Sequence, residues 1–361
     1  MPWFFVCLSL PGGGMSIWPQ PLLQHEMYED LPFDADLMAQ LEALQPTVTA
    51  GAGNRINFYV PTFKQFETSE VSSCGKNDFP GISITGGDCD LQCDHCKAKI
   101  LAPMIPARTP EALWHEATKA AGQGANGLLI SGGSNVRNEV PFAPFFPTMS
   151  RIREELGLKL AVHTGLVDEE QAAGFAQAKV DVAMLDIIGA QETITEVYHL
   201  KRPVEEFELS LKRLNEAGLK TVPHIVIGLH YGKFLGEYKA LEMIARQKPS
   251  ALVLVVVMPF YAPANKIFMT PNVHQIGRFF MACRKALPDI PILLGCARPP
   301  GEHRLMTDAY AMLSGLNGIA FPSEGLVGIA EQLGRQVGVH PSCCSMAVDP
   351  QLFEGKEEVA A

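Results

Sequence analysis

Short aliphatic runs alternate with amphipathic stretches along the chain from residue 80 onward. The runs show no polar side, which is typical of parallel strands that are buried on both faces. Apolar residues at helical spacing predict a helix after each run. The runs predict eight strands, at Gly81–Thr85, Gly127–Ser131, Leu158–His163, Val182–Ile187, Thr221–Ile227, Ala251–Met258, Ile292–Leu294 and Gly318–Ala320.

Eight strand–helix pairs over roughly 250 residues are the count of a (β/α)8 TIM-type barrel, an α/β fold. An open doubly wound sheet is the alternative, but the chain has no Gly-x-Gly-x-x-Gly loop. Residues 80–339 are predicted to form the barrel, and residues 340–361 a cysteine-containing tail that covers the barrel mouth. Because such barrels carry their chemistry at the carboxyl ends of the strands, the residues that follow each strand are the site candidates.

Residues 1–79 are interpreted as an N-terminal extension. Asp34 and Asp36 are candidate caps for a helix through Ala43, and Asn57–Val60 is interpreted as an extended stretch. The apolar first ten residues lack the basic leading region and the Ala-x-Ala cleavage pattern of an export signal. We expect translation to start at Met15, so that residues 1–14 are not part of the native protein.

Composition narrows the class of protein. The 361 residues are 47% hydrophobic and 19% charged, which is enough apolar matter for a large buried core. The net charge of −10 argues against nucleic-acid or anionic-membrane partners. The chain contains no run of roughly eighteen apolar residues, so we expect no membrane span. Nine cysteines are an odd number and a low density for a disulfide scaffold, so we expect a reducing, cytoplasmic compartment.

Three cysteines follow the first predicted strand in one loop, as Cys89-x₃-Cys93-x₂-Cys96. A structural zinc site needs a fourth ligand and usually has paired C-x₂-C knuckles. An iron–sulfur cube also takes four ligands, so three thiolates leave one iron open for a small molecule. The spacing favours the cube, with zinc and chance packing of three thiols as the alternatives.

This motif, on the loop after strand one of a barrel, resembles that of the radical S-adenosylmethionine (SAM) superfamily. The resemblance implies that the thiolates hold a [4Fe–4S] cluster, that SAM chelates the open iron, and that one electron then yields a 5′-deoxyadenosyl radical. It also implies that His95 packs near the adenine, that Asp186 binds the ribose and that Arg202 binds the methionine carboxylate. A helix cap is the alternative for Asp186, and a solvated surface charge is the alternative for Arg202.

The segment Ser131-Gly132-Gly133-Ser134 is similar to the family's Gly-Gly-Glu, whose backbone binds the methionine amine. Glycine lets the backbone approach closely, whereas Ser134 departs from the usual acid and weakens this contact. His163 is a further candidate contact to the cofactor. Four histidines near strand ends predict a polar lining of the mouth, with a metal site as the alternative: His163, His199, His224 and His230.

Longer phrases over residues 56–325 resemble the biotin-synthase-related proteins that include the two-component lipoyl synthases of archaea and some bacteria. They include His163-Thr164-Gly165-Leu166 and Cys296-Ala297-Arg298-Pro299. The resemblance implies sulfur insertion at C6 and C8 of an octanoyl chain carried by a lysine of an H protein or lipoyl domain. It implies as partners this octanoylated carrier protein, a second radical SAM subunit and an electron donor, ferredoxin or flavodoxin.

Radical sulfur insertion needs a sulfur source beside the radical, usually an auxiliary iron–sulfur cluster. The candidate ligands are Cys343 and Cys344 in the tail, Cys296 after strand seven and Cys74 before strand one. Cys283 is expected to pack inside a helix as a small hydrophobe. The alternative is a tail with two incidental thiols.

Two charged residues that follow predicted strands leave two interpretations open. Arg298 is a candidate contact to a cluster or substrate, and Glu324 ends strand eight. The alternative is that the two form a structural ion pair.

Three functions are compatible with these patterns. The first is radical sulfur insertion, and the second is another radical reaction on a small molecule, such as methylthiolation or cofactor assembly. The third is an iron–sulfur scaffold without catalysis. One cluster instead of two favours the second function, and absence of SAM cleavage favours the third.

Overall fold

The computed structural model describes residues 19–51, 54–61, 66–72, 78–258 and 267–348. Its strands form one sheet in which every pairing is parallel. The sheet contains eleven strands, β1 (Arg55–Tyr59), β2 (Gly81–Ser83), β3 (Ile105–Pro106), β4 (Gly127–Ser131), β5 (Lys159–Thr164), β6 (Val182–Asp186), β7 (Thr221–Ile227), β8 (Leu252–Val256), β9 (Ile292–Leu294), β10 (Gly318–Ala320) and β11 (Gln336–His340).

Helices follow the strands as the periodicity predicts. In the described part of the chain they are α1 (Gln20–Leu23), α2 (Ala35–Ala50), α3 (Pro110–Gly122), α4 (Phe146–Arg151, continued by a π-turn over Ile152–Leu156), α5 (Glu169–Gln177), α6 (Gln191–Glu196), α7 (Glu205–Glu216), α8 (Glu237–Gln247), α9 (Val273–Ala286), α10 (Glu302–Leu313) and α11 (Leu326–Gln332). Of the two candidate caps Asp34 is the N-cap of α2, since it accepts a hydrogen bond from Leu37 N at 2.8 Å, while Asp36 lies in the first turn. The helix continues past the predicted Ala43 to Ala50. No helix among the described residues is long and apolar enough to span a membrane.

The predicted α/β barrel-type fold is confirmed, with a different number of strands. The order across the sheet is β11-β1-β10-β9-β8-β7-β6-β5-β4-β2-β3, so the eight predicted strands stand in sequence order. β1 lies between β10 and β11, with Asn57 opposite Gly318 on one side and Gly338 on the other. Because β10 pairs with β1 and not with the first predicted strand, the sheet is a curled half-barrel of eleven strands.

Two apolar layers cover the two faces of the sheet. The outer layer packs the strands against the helices, and the inner layer includes Val182 and Met184 of β6, because alternate side chains of a strand share a face. A 3₁₀ turn at Cys344–Val348 contacts both β6 and β10, which three strands separate. The sheet therefore curls around this turn.

The described part of the tail, residues 341–348, runs through the interior of this curve. His340 ends β11 at the carboxyl edge, where its O accepts from Val60 N at 2.9 Å. Lys220 precedes β7 at the opposite edge and donates to Val348 O at 3.3 Å. The segment thus passes from one edge of the sheet to the other. Residues 349–361 lie outside the described residues, so the cover of the mouth by residues 340–361 stays a prediction.

Candidate functional site

The three cysteines of the motif lie together at the carboxyl end of β2, in the cluster loop (residues 86–98). The Cys93 and Cys96 thiols interact directly, and Cys89 acts electrostatically on Cys93. The hydrogen bond from Cys93 lowers the pKa of Cys96 to about 4, with His95 assisting, and raises the pKa of Cys93. Three thiols on one loop, of which one ionises readily, are a donor set that fits an iron–sulfur cube.

The Ser131-Gly132-Gly133-Ser134 segment packs directly against the cluster loop. A Cβ on Gly133 would lie 1.9 Å from Asp88 O and 2.5 Å from the Cys89 Cβ, so only glycine fits there. Ser134 O accepts from the Cys89 thiol at 3.7 Å, and the Ser131 hydroxyl donates to His163 O at 3.0 Å. The second strand end therefore contacts the cysteine motif, and binding of the methionine amine by this backbone stays a prediction.

A chain of side chains connects the cluster loop with the end of β6. The His95 ring stacks on the Tyr198 ring at 5.2 Å, and the Tyr198 hydroxyl donates to Asp186 Oδ2 at 3.3 Å. His163 Nε2 lies 3.7 Å from Asp186 Oδ1. The structure thus brings together three of the predicted cofactor contacts, His95, Asp186 and His163. Tyr198 was missed because nothing local marks a buried tyrosine between two helices.

Arg202 is engaged by two carboxylates. Its guanidinium lies 3.1 Å from Glu139 Oε1 and 3.0 Å from Glu206 Oε2. Glu139 belongs to the loop after β4, so Arg202 ties this loop to the start of α7. The expected contact with a methionine carboxylate stays a prediction, and it requires Arg202 to exchange a protein carboxylate for that of the ligand.

The four histidines separate into different environments. The His163 and His224 rings meet edge to face at 5.1 Å, and burial lowers the pKa of His224 to about 4, with His163 adding to the shift. His230 contacts Thr193 at 3.3 Å, and His199 contacts Asp94 at 3.0 Å. Among the described residues, no three His, Cys, Asp or Glu side chains surround one common metal-ion position. A four-iron cube differs from that arrangement, since each thiolate binds its own iron.

A second group of cysteines lies inside the curve of the sheet. Cys343 and Cys344 interact directly. The charge of the exposed Cys296 adds to the rise in the pKa of Cys344. The hydrogen bond from Cys344 lowers the pKa of Cys343 to about 7, with Ser345 adding to the shift. Cys283 is fully buried in the outer core, as expected. Cys74, the fourth candidate ligand, lies outside the described residues.

The suggested pair of Arg298 with Glu324 is wrong. Arg298 forms a bidentate pair with Asp308 at 2.5 and 3.0 Å, in which both side chains are fully buried. It also donates to Gly295 O and Phe321 O. Glu324 accepts instead from Ser69. Arg298 is therefore a structural residue that anchors the loop carrying Cys296.

Asp94 is a residue of the cluster loop that the sequence interpretation missed. It is 3% exposed, and its carboxylate contacts Lys97, His199 and Tyr231 at 2.9, 3.0 and 3.1 Å. Burial raises the pKa of Asp94, but these three hydrogen bonds outweigh it and hold the pKa well below its ordinary value. No local signal marks the residue, because two of its partners are more than a hundred positions away along the chain.

Comparison with known proteins identifies the kind of domain that the cluster loop belongs to. Residues 83–234 match the model of the Radical SAM superfamily. Two biotin synthases of Leptospira interrogans, from strains Fiocruz L1-130 and 56601, are each 21% identical to this chain over 227 residues. The match takes in 60% of this chain and 62% of each relative, so the chain spans less than two thirds of their length.

Solved structures share the fold at low sequence identity. A methylornithine synthase (PylB) has a TM-score of 0.56 and 13% identity, over 90% of this chain and 97% of its own. HydG, a maturase of the [FeFe]-hydrogenase, has a TM-score of 0.56 and 13% identity, over 80% of this chain and 62% of its own. At these identities the likeness concerns the fold alone.

Proposed function

Because this chain belongs to the radical SAM superfamily and is related to biotin synthases, we propose that it inserts sulfur into a protein-bound octanoyl chain as one component of a lipoyl synthase. The observation that carries the proposal is the presence of two separate cysteine groups on one half-barrel. One is the triad of the cluster loop, and the other is Cys343 and Cys344 beside Cys296. Sulfur insertion needs a radical source and a sulfur source, and each group suits one of them.

The first group, with its neighbours, is proposed to bind the cluster and SAM. When bound, these supply a 5′-deoxyadenosyl radical that abstracts hydrogen from an unactivated carbon. Asp186, oriented by the Tyr198 hydroxyl, accepts hydrogen bonds from the ribose hydroxyls. Arg202 binds the methionine carboxylate through its planar fork, and Gly133 lets this strand end pack directly against the cluster loop.

The second group is proposed to hold the auxiliary cluster as sulfur source. Cys343, Cys344 and Cys296 are its proposed thiolate ligands, and Cys74, outside the described residues, is the candidate for the fourth. Leu129 and Val255 are partly buried and pack on the inner apolar layer, to which Cys344 also belongs. An apolar wall suits the aliphatic chain of an octanoyl group.

The partners follow from the proposed reaction. An octanoylated carrier protein, an H protein or a lipoyl domain, brings the acyl chain to the carboxyl edge, and ferredoxin or flavodoxin supplies the electron. A second radical SAM subunit completes the pair of sulfur insertions.

The test is anaerobic incubation of the reconstituted protein with an octanoyl-lysine peptide, SAM and dithionite, followed by mass analysis. We expect about eight irons per chain, 5′-deoxyadenosine, and a peptide heavier by at least one sulfur. The same peptide without the octanoyl group is the matched control and should stay unchanged. Formation of 5′-deoxyadenosine with an unaltered octanoyl peptide and about four irons contradicts the proposal.

That contradicting result would favour a second candidate, radical chemistry on a small polar molecule. Its support is the pair His163 and His224, which lies beside Asp186 on the inner side of the sheet. His224 shares a face with Val222 of the inner layer. Because the His224 Nδ1 contacts Val222 O at 3.0 Å, the neutral ring carries its proton there and presents Nε2 as an acceptor.

A further inference from the structure

Asp94 joins the cluster loop to two other loops of the carboxyl edge. Lys97 comes from the cluster loop itself, His199 from the segment after α6, and Tyr231 from the segment after β7. The backbone takes part as well, because Asp94 N donates to Val197 O at 2.8 Å. One side chain next to a motif cysteine is therefore the common contact of three loops.

Lys97, His199 and Tyr231 each have an unfavourable backbone conformation. The φ angles of Lys97, His199 and Tyr231 are +45°, +55° and +53°, in the left-handed region where a Cβ crowds the following carbonyl oxygen. Gln92 and Ala98 of the cluster loop, at +45° and +59°, share this conformation. In the described residues nine non-glycine positions have a positive φ, and five of them lie at this junction.

Such strain persists only where surrounding contacts over-determine the backbone. At this junction the contacts converge on one group, since an aspartate carboxylate can accept hydrogen bonds from three donors. An asparagine of the same size would offer one acceptor oxygen and would turn an amino group toward Lys97 or Tyr231. The shape of the junction therefore depends on the carboxylate and not on the volume of the side chain.

We propose that Asp94 is a positioning residue that holds the cluster loop in shape before any cofactor binds. Through Lys97 it fixes the turn between Cys93 and Cys96, and through His199 and Tyr231 it fixes this turn to the loops after α6 and β7. The proposal goes beyond sulfur insertion and holds for whatever substrate the protein takes.

The first test uses the cofactor-free, full-length protein. Asp94→Asn is compared with Asp90→Asn, the same change at an exposed position of the same loop. We expect circular dichroism to stay unchanged in both variants, while hydrogen exchange in Asp94→Asn rises about tenfold or more in residues 91–99, 196–202 and 229–233. Unchanged exchange in these loops, or a uniform rise through the whole barrel, overturns the proposal.

The second test adds the cluster and a rescue. After anaerobic reconstitution, a chelator should bleach Asp94→Asn about tenfold faster than Asp90→Asn. Ala98→Gly relieves a left-handed residue without removing a partner of Asp94, so the double variant Asp94→Asn/Ala98→Gly should recover part of the loss. Equal bleaching of the two single variants, or absence of any rescue, contradicts positioning through backbone strain. Neither readout depends on the octanoyl substrate, so this proposal and the proposed function fail separately.

Discussion

The two cysteine groups differ in how the chain brings them together. The triad comes from eight consecutive residues, 89–96, on a loop at the edge of the sheet. The second group combines Cys296 with Cys343 and Cys344, more than forty positions away along the chain, and it forms only because the tail enters the curved sheet. Local spacing thus encodes the first group, whereas the tertiary fold encodes the second.

The groups also differ in what supports them. The cluster loop contains strained backbone and depends on Asp94, whose partner His199 is half exposed. The loop with Cys296 depends on the Arg298–Asp308 pair, which is fully buried. A partly exposed rim with strained backbone and a fully buried ion pair therefore support the two groups of one site, and experiments can separate the two.

The largest expected effect comes from removing each group in turn. The triple change of Cys89, Cys93 and Cys96 to Ala should abolish 5′-deoxyadenosine formation and leave about four of eight irons. The double change of Cys343 and Cys344 to Ala should leave 5′-deoxyadenosine formation intact, remove about four irons and stop sulfur insertion. Both are measured by iron analysis and product chromatography under anaerobic conditions.

Cys283→Ala is the matched control, because Cys283 is a fully buried thiol of the outer core. It should keep the iron content and both activities of the unaltered protein. An unchanged iron count in the Cys343/Cys344 double variant would eliminate the auxiliary cluster, and SAM cleavage by the triad variant would eliminate the role of the motif.

The same contrast explains how much the sequence predicts. The triad and the aliphatic strands carry local signals, so the motif and the eight strands of the barrel were found. β3 and β11 were missed because Ile105–Pro106 is two residues long and Gln336–His340 contains a central glycine. The Asp308 partner of Arg298 and the convergence on Asp94 depend on distant loops, which no spacing rule reports.

The next expected effect concerns the buried Arg298–Asp308 pair, which supports the loop with Cys296. Arg298→Leu leaves the Asp308 carboxylate buried without its partner and should lower the free energy of unfolding by about 3–5 kcal/mol. Arg278→Leu is the control, since its pair with Asp34 is partly exposed and should contribute less than about 1 kcal/mol. Both values come from urea denaturation of the cofactor-free protein. Equal losses in the two variants would show that burial does not make the Arg298–Asp308 pair costlier to break than the exposed one.

The smallest expected effect is a pH dependence with one contribution from each region. Burial lowers the pKa of His224, beside Asp186, and of His340, whose ring lies 5.7 Å from that of Tyr59, to about 4 in both cases. An unfolded histidine has a pKa of about 6.5, so protonation favours the unfolded chain. The contribution of each neutral histidine to the free energy of unfolding is largest well above pH 6.5 and is lost as the pH drops toward 4. At pH 6 the loss relative to high pH is about 0.8 kcal/mol per histidine.

Single changes of His224 and His340 to Gln separate their contributions to the pH dependence of the free energy of unfolding. His224→Gln and His340→Gln should each remove about half of the contribution between pH 7 and pH 6, measured by urea denaturation at each pH, while His115→Gln at an exposed position should change nothing. Since the two rings belong to different regions, the outcome separates them. A slope that only His340→Gln reduces would mean that water reaches His224 from the mouth and that only the interior around the second cysteine group is dry.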